Sequence, residues 1–104
     1  MGAHDYEEDS RNQDVLISVN REIVPRQDAK VSVFDAGFLL GDGVWESFRL
    51  HKGTIAFADD HLDRLFHGAE AISLNIGLTR EEVLEEVHRV ISANDMHDDV
   101  HVRM

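Results

Sequence analysis

Gly41-Asp42-Gly43-Val44-Trp45-Glu46, followed after one hairpin by Asp60-His61-Leu62-Asp63-Arg64-Leu65, carries more of the reading of this chain than the rest of it together. The paired glycines mark a tight turn. From Val44 the residues alternate, with Val44, Glu46, Phe48 and Leu50 on one face and Trp45, Ser47, Arg49 and His51 on the other, which predicts a strand. Both faces mix polar and apolar residues, so one of them is expected to meet a ligand, with Trp45 in a partly open pocket. Lys52-Gly53 reads as a two-residue turn into Thr54 to Phe57, completing a hairpin. Arg64 then falls one turn after the cap of a helix. There its guanidinium and the free N–H groups of the helix start can meet the same anion, a phosphate above all. The plainer use of Arg64 is a surface pair with Asp60 or Asp63.

That helix is capped by Asp59 or Asp60, and its apolar positions Leu62, Leu65, Phe66, Ala69 and Ile72 recur at helical spacing. A second helix opens on a capping box, Thr79 with Glu82. It carries Val83, Leu84, Val87, Val90 and Ile91 as its stripe and stops at Asn94. Upstream, Val15 to Val19 and Glu22 to Val24 form a hairpin turned at Asn20-Arg21 and ended by the only proline, Pro25. Ala29 to Phe34 reads as extended and Asp35 to Gly43 as a loop. Asp99 to Met104 has strand character with no closing turn, so residues 15–104 are expected to be an incomplete piece of something longer. The order of strands, two helices and a strand predicts an α+β fold, an antiparallel sheet with two helices on one face.

Composition bounds the function. At 104 residues the chain is one domain at most, and a net charge of −11 argues against nucleic acid, which is met by clustered bases. Residues 1–14 hold five acids against one base and read as a disordered acidic leader. Without cysteine there is no disulfide framework or thiolate metal site, which points to the cytoplasm. Apolar runs such as Val31 to Phe34 are far too short to span a bilayer, so no membrane partner is expected. In so acidic a chain, an anionic ligand needs a local arginine.

The remaining clusters carry less. The glycines Gly37, Gly41 and Gly43 fail as a dinucleotide loop, because Glu46 stands where the third glycine belongs and a strand, not a helix, follows. Asp42 and Glu46 read as a turn cap and an edge-strand acid. His97, Asp98, Asp99 and His101 read as a solvated loop rather than a weak zinc or nickel site. His61 and His67, six apart, lie on different helix faces and cannot share a metal, so no metal site is expected; His61 is expected to orient a backbone group.

Asp35-x-Gly37, Gly41-Asp42-Gly43-Val44-Trp45-Glu46, Arg49, Gly53 and His61-x-x-Arg64-Leu65 together resemble the class IV aminotransferases. This pyridoxal-phosphate family includes branched-chain and D-amino-acid aminotransferases and aminodeoxychorismate lyase. The resemblance runs over residues 15–104 and implies the small N-terminal domain of a two-domain, homodimeric or larger enzyme. On it, Arg64 matches the arginine that binds the phosphate of the cofactor, pyridoxal 5′-phosphate. Trp45 and Leu40 match residues lining the substrate pocket, Leu40 from across the dimer interface. Arg103 matches the arginine of a Tyr-x-Arg motif that holds a substrate carboxylate, with His101 at the tyrosine position. The implied reaction moves an amino group from a branched-chain or related amino acid to a 2-oxo acid. The runners-up are a D-amino-acid enzyme, the lyase, or a non-catalytic binding or oligomerisation module of the same fold. In the family, the lysine that bonds the cofactor belongs to the larger domain, and neither Lys30 nor Lys52 matches it, so these residues alone are expected to be inactive.

Overall fold

The computed structural model describes residues 8–104. Leu16–Val19 (β1) and Glu22–Pro25 (β2) pair antiparallel, with Val19 opposite Glu22, around a two-residue turn. Asn20 and Arg21 there both sit at positive φ, 52° and 67°, the backbone that closes so short a hairpin. A short helix, Ala36–Leu40 (α1), follows. Ser47–His51 (β3) and Thr54–Ile55 (β4) form the second hairpin, its turn at Lys52 and Gly53 again with positive φ. Two 14-residue helices, Ala58–Ala71 (α2) and Arg80–Ala93 (α3), precede Val100–Arg103 (β5). The fold is α+β and antiparallel throughout, in two sheets: β1-β2, and β4-β3-β5 with β3 in the centre.

The alternation along β3 survives as predicted. Glu46, Phe48 and Leu50 are buried while Trp45, Arg49 and His51 are exposed. Phe48 and Leu50 meet Leu62 and Leu65 of α2, Val83, Val87 and Ile91 of α3, and Val100 of β5 in one core. Both helices therefore pack on the same face of the three-stranded sheet. The capping box of α3 forms in both directions: the Glu82 N–H donates to Thr79 Oγ1 (3.1 Å), and the Thr79 N–H donates to Glu82 Oε1 (3.0 Å).

Four local expectations change. Helix α2 starts at Ala58 with Phe57 as its N-cap, in the left-handed region at φ 52° and with no side-chain cap; Asp59 and Asp60 lie in the first turn and offset the helix dipole instead. Residues 29–34 pair with no strand among the described residues and turn at Val33 and Phe34, and Val31, Val33 and Phe34 stay exposed. The stretch 35–43 is not all loop. Asp35 accepts from the Gly37 N–H to cap α1, and Gly41 at φ 68° closes it, a conformation glycine reaches without a Cβ penalty. Ile72 is the exposed C-cap of α2, not part of its stripe.

The β1-β2 hairpin is tied to α3 by polar side chains. The Asn94 side chain accepts from the Leu16 N–H (2.7 Å) and donates to its C=O (3.0 Å), which is what a neighbouring strand would do. Ser18 Oγ donates to Glu86 Oε1 at 2.7 Å. Glu86 is buried and also accepts from Arg89, which holds its carboxyl below the usual carboxylate range. Of the stretch read as a leader, residues 1–7 lie outside the described residues. Ser10–Asn12 form a 3-10 turn capped by Asp9, and Arg11 donates to the carbonyls of Asp98 and Asp99.

Candidate functional site

The site is built where the head of β3 meets the second turn of α2. Before β3 proper, Glu46 and Met104 exchange backbone hydrogen bonds, N–H to C=O in both directions at 2.9 Å, so Glu46 extends the central strand. Its side chain points inward with Phe48 and is 1% exposed. A carboxylate in that position needs charged or N–H partners, since burial alone opposes its ionisation.

It has four contacts. Arg64 Nε donates to Oε2 at 2.6 Å and Arg64 Nη2 to Oε1 at 2.5 Å, a bidentate fork. The Ser47 N–H donates to Oε1 at 3.0 Å, and His61 Nδ1 lies 3.1 Å from the same oxygen. The Arg64 hydrogen bonds outweigh the burial and hold the Glu46 carboxyl down at about 2, while Glu46 raises Arg64 further above its ordinary value. The His61 ring also packs edge-on to Phe48, with centroids 5.6 Å apart at 60°.

This geometry corrects the readings of Arg64, Glu46 and His61. Arg64 pairs with neither Asp60 nor Asp63; Asp63 bridges to Arg80 instead. Arg64 also sits in the second turn of α2, seven residues past the N-cap, which is roughly 10 Å along the axis from the helix start. Glu46 is a buried acid of the central strand rather than an edge acid, and His61 faces a side chain rather than a backbone group.

Arg64 is 71% exposed on its side-chain atoms, so its outer edge is open to solvent. It borders a cavity of about 440 Å³ with Gly43, Val44, Trp45, Glu46, Leu65 and Gly68. Trp45 is 62% exposed, and the Arg103 guanidinium lies over its ring, 4.9 Å from the centroid. The register explains the contact: Ser47 pairs with Arg103, so Trp45 and Arg103 share the outer face as diagonal neighbours. Arg64, Trp45 and Arg103 thus lie at one end of the sheet. Leu40 does not join them. It is 74% exposed at the end of α1, and it borders neither this cavity nor a second one of about 460 Å³ between β1 and β5.

The acidic cluster near the C-terminal end does structural work. Asp98 accepts from the Lys52 N–H, Asp99 pairs with Arg49, and His97 faces Asp95 at 2.8 Å. Among the described residues no three His, Cys, Asp or Glu side chains gather as a metal would require, and no helix is long and apolar enough to cross a membrane. The residue that sequence reasoning missed is Glu46 as part of the site. Its signal was present: a lone acid on the face otherwise made of Val44, Phe48 and Leu50.

The Glu46–Arg64 pair sets an acid limit on stability. The folded pKa of Glu46, about 2, lies below the ordinary 4.5, so its contribution is complete above pH 4.5 and is lost as pH falls through about 2. Urea unfolding across pH 2 to 6 is expected to show stability falling through that window, and Glu46→Gln is expected to flatten the fall.

Comparison with known proteins agrees with the constellation. Residues 43–104 match the family described as amino-transferase class IV. The chain is 45% identical over 93 residues to branched-chain-amino-acid aminotransferase-like protein 2 of Arabidopsis thaliana, covering 89% of this chain and 17% of that one. It is 36% identical over 80 residues to D-alanine aminotransferase of Staphylococcus epidermidis, covering 77% and 28%. The fold superposes with a TM-score of 0.77 on the T.th. branched-chain amino acid aminotransferase complexed with N-(5′-phosphopyridoxyl)-L-glutamate, at 25% identity over 88% of this chain and 32% of that chain. The chain thus spans between a sixth and a third of the length of these relatives. With the motif, the fold and the match all falling on the same residues, this chain belongs to the class IV aminotransferase family.

Proposed function

We propose that residues 15–104 are the N-terminal small domain of a pyridoxal-phosphate-dependent aminotransferase that moves an amino group from a branched-chain or related amino acid to a 2-oxo acid. The observation that carries this reading is the outward edge of Arg64 beside Trp45 in one cavity, with Arg103 stacked on the same ring. A phosphate monoester offers oxygens that accept from the planar fork of such an arginine, and a guanidinium already fixed on one side loses little entropy in binding it. When bound, the cofactor supplies an electron sink for the bond-breaking at the substrate Cα.

The chain's own residues hold and orient. Arg64 takes the phosphate. Trp45 covers one side of the cavity and excludes water from it. Arg103 offers a positive charge for a substrate carboxylate, held at a set height by its contact with Trp45. Leu40, with Phe34 and Phe38 on the same exposed apolar segment, reaches a second copy of the protein, which gives a homodimer or larger assembly. Lys30 and Lys52 are exposed and border neither cavity, so neither is assigned proton transfer. The cytoplasm is the compartment that suits a cysteine-free chain of this kind.

Likeness to D-alanine aminotransferase keeps a second substrate class open, with a D-amino acid as donor. The intact protein, assayed with L-leucine and with D-alanine against 2-oxoglutarate, is expected to turn over the L-substrate faster. Faster turnover of D-alanine moves the assignment to the second class, and pyruvate release from aminodeoxychorismate without amino transfer moves it to the lyase. A polypeptide of these 104 residues alone is expected to transfer no amino group, and turnover by it above a no-protein blank would overturn that.

A further inference from the structure

We infer that Glu46 is a positioning residue: its buried carboxylate turns the Arg64 guanidinium so that the opposite edge of the fork faces the cavity and takes a phosphate monoester. The inference rests on the reading of Arg64 as the phosphate ligand. A guanidinium presents five N–H donors in a rigid plane. The Nε and Nη2 edge is committed to Glu46, and Nη1 has no hydrogen-bond partner among the described residues. What remains is the end-on edge of Nη1 and Nη2, directed away from the core. A long side chain as exposed as Arg64 otherwise samples many rotamers, and the Glu46 grip on the inner edge of its guanidinium restricts it.

The grip itself is anchored from below. Glu46 is anchored in the central strand by its double backbone pairing with Met104, and its Oε1 is held by the Ser47 N–H and faced by His61 Nδ1. His61 in turn is set by its ring contact with the fully buried Phe48. The order of support runs from core to strand to acid to arginine. Because the Arg64 fork holds the carboxyl well below the usual carboxylate range, the grip is present at neutral pH, where a phosphate monoester is an anion.

Charge and position pull in opposite directions here, which makes the inference testable. Glu46 lowers the positive field that Arg64 offers, so removing its charge without any effect on orientation would tighten phosphate binding. Loss of orientation weakens it. The experiment measures equilibrium affinity of the intact protein for pyridoxal 5′-phosphate and for pyridoxal, which lacks the phosphate, in wild type, Glu46→Gln, His61→Phe and Arg64→Gln. Expected is a loss of about tenfold for the phosphate form in Glu46→Gln with pyridoxal unchanged, and a smaller loss of the same kind, about threefold, in His61→Phe. His61→Phe keeps both Glu46 and Arg64 and carries the test if Glu46→Gln does not fold. Equal loss of both ligands in these variants would mean general damage and overturns the inference. Unchanged or tighter phosphate-form binding in them, with Arg64→Gln weakened, overturns positioning and leaves the Arg64 reading standing. No loss in Arg64→Gln overturns that reading itself, and the inference with it.

Discussion

Arg64→Met is expected to cost the fold a substantial share of its stability, although Arg64 is a largely exposed residue. The asymmetry of the pair is the reason. An exposed ion pair contributes little, because both partners are content in water. Here the guanidinium is solvated and the carboxylate is not: Glu46 is 1% exposed and depends on Arg64 for two of its four contacts. The loss is expected to stay below that of stripping a buried acid of every partner, because the Ser47 N–H and His61 remain beside it. The variant also releases the Glu46 carboxyl from its lowered value, so stability falls less steeply below pH 4.5 than in wild type and the deficit against wild type narrows as pH drops. Urea titrations at pH 7 and at pH 4 check both parts. A variant as stable as wild type at pH 7 would show that Glu46 is satisfied without its arginine.

Phe48→Ala is expected to be the most damaging single change, at about 3 to 5 kcal/mol. Phe48 is 0% exposed on the central strand, at the centre of the cluster shared by α2, α3 and β5. Its loss leaves a cavity that three separate elements cannot all collapse into. It also removes the surface against which His61 is set, so the site loosens along with the core. Thermal unfolding followed by circular dichroism gives the magnitude. Phe48→Leu, which keeps most of the volume, is expected to recover more than half of the loss. Recovery of nothing by leucine would place the effect in the aromatic contact with His61 rather than in packing.

Elements whose determinants lie within a few residues were legible in the sequence. The capping box of α3 needs only Thr79 and Glu82, the two hairpins only their two-residue turns, and the buried face of β3 only its alternation. The family motif is also local: Gly41 to Glu46 and His61 to Leu65 identify the chain before any packing is known. Helix α2 was legible in its stripe but not in its start, because its cap is an exposed phenylalanine in a left-handed conformation that no propensity anticipates. Residues 29–34, read as extended, form no strand among the described residues, since a strand exists only where a neighbouring edge accepts its hydrogen bonds.

Sequence by itself determined the α+β class, the hairpins, the two long helices and the family to which the chain belongs. The tertiary structure alone decided the partner of Arg64. Asp60 and Asp63 are nearer in sequence, but both remain exposed, and a carboxylate in water gains little from pairing. Glu46, 18 residues away, is desolvated by the core that closes over β3, so it gains most from the same guanidinium. Which acid is buried depends on the whole packing of strand against helix, and no stretch of sequence contains that information.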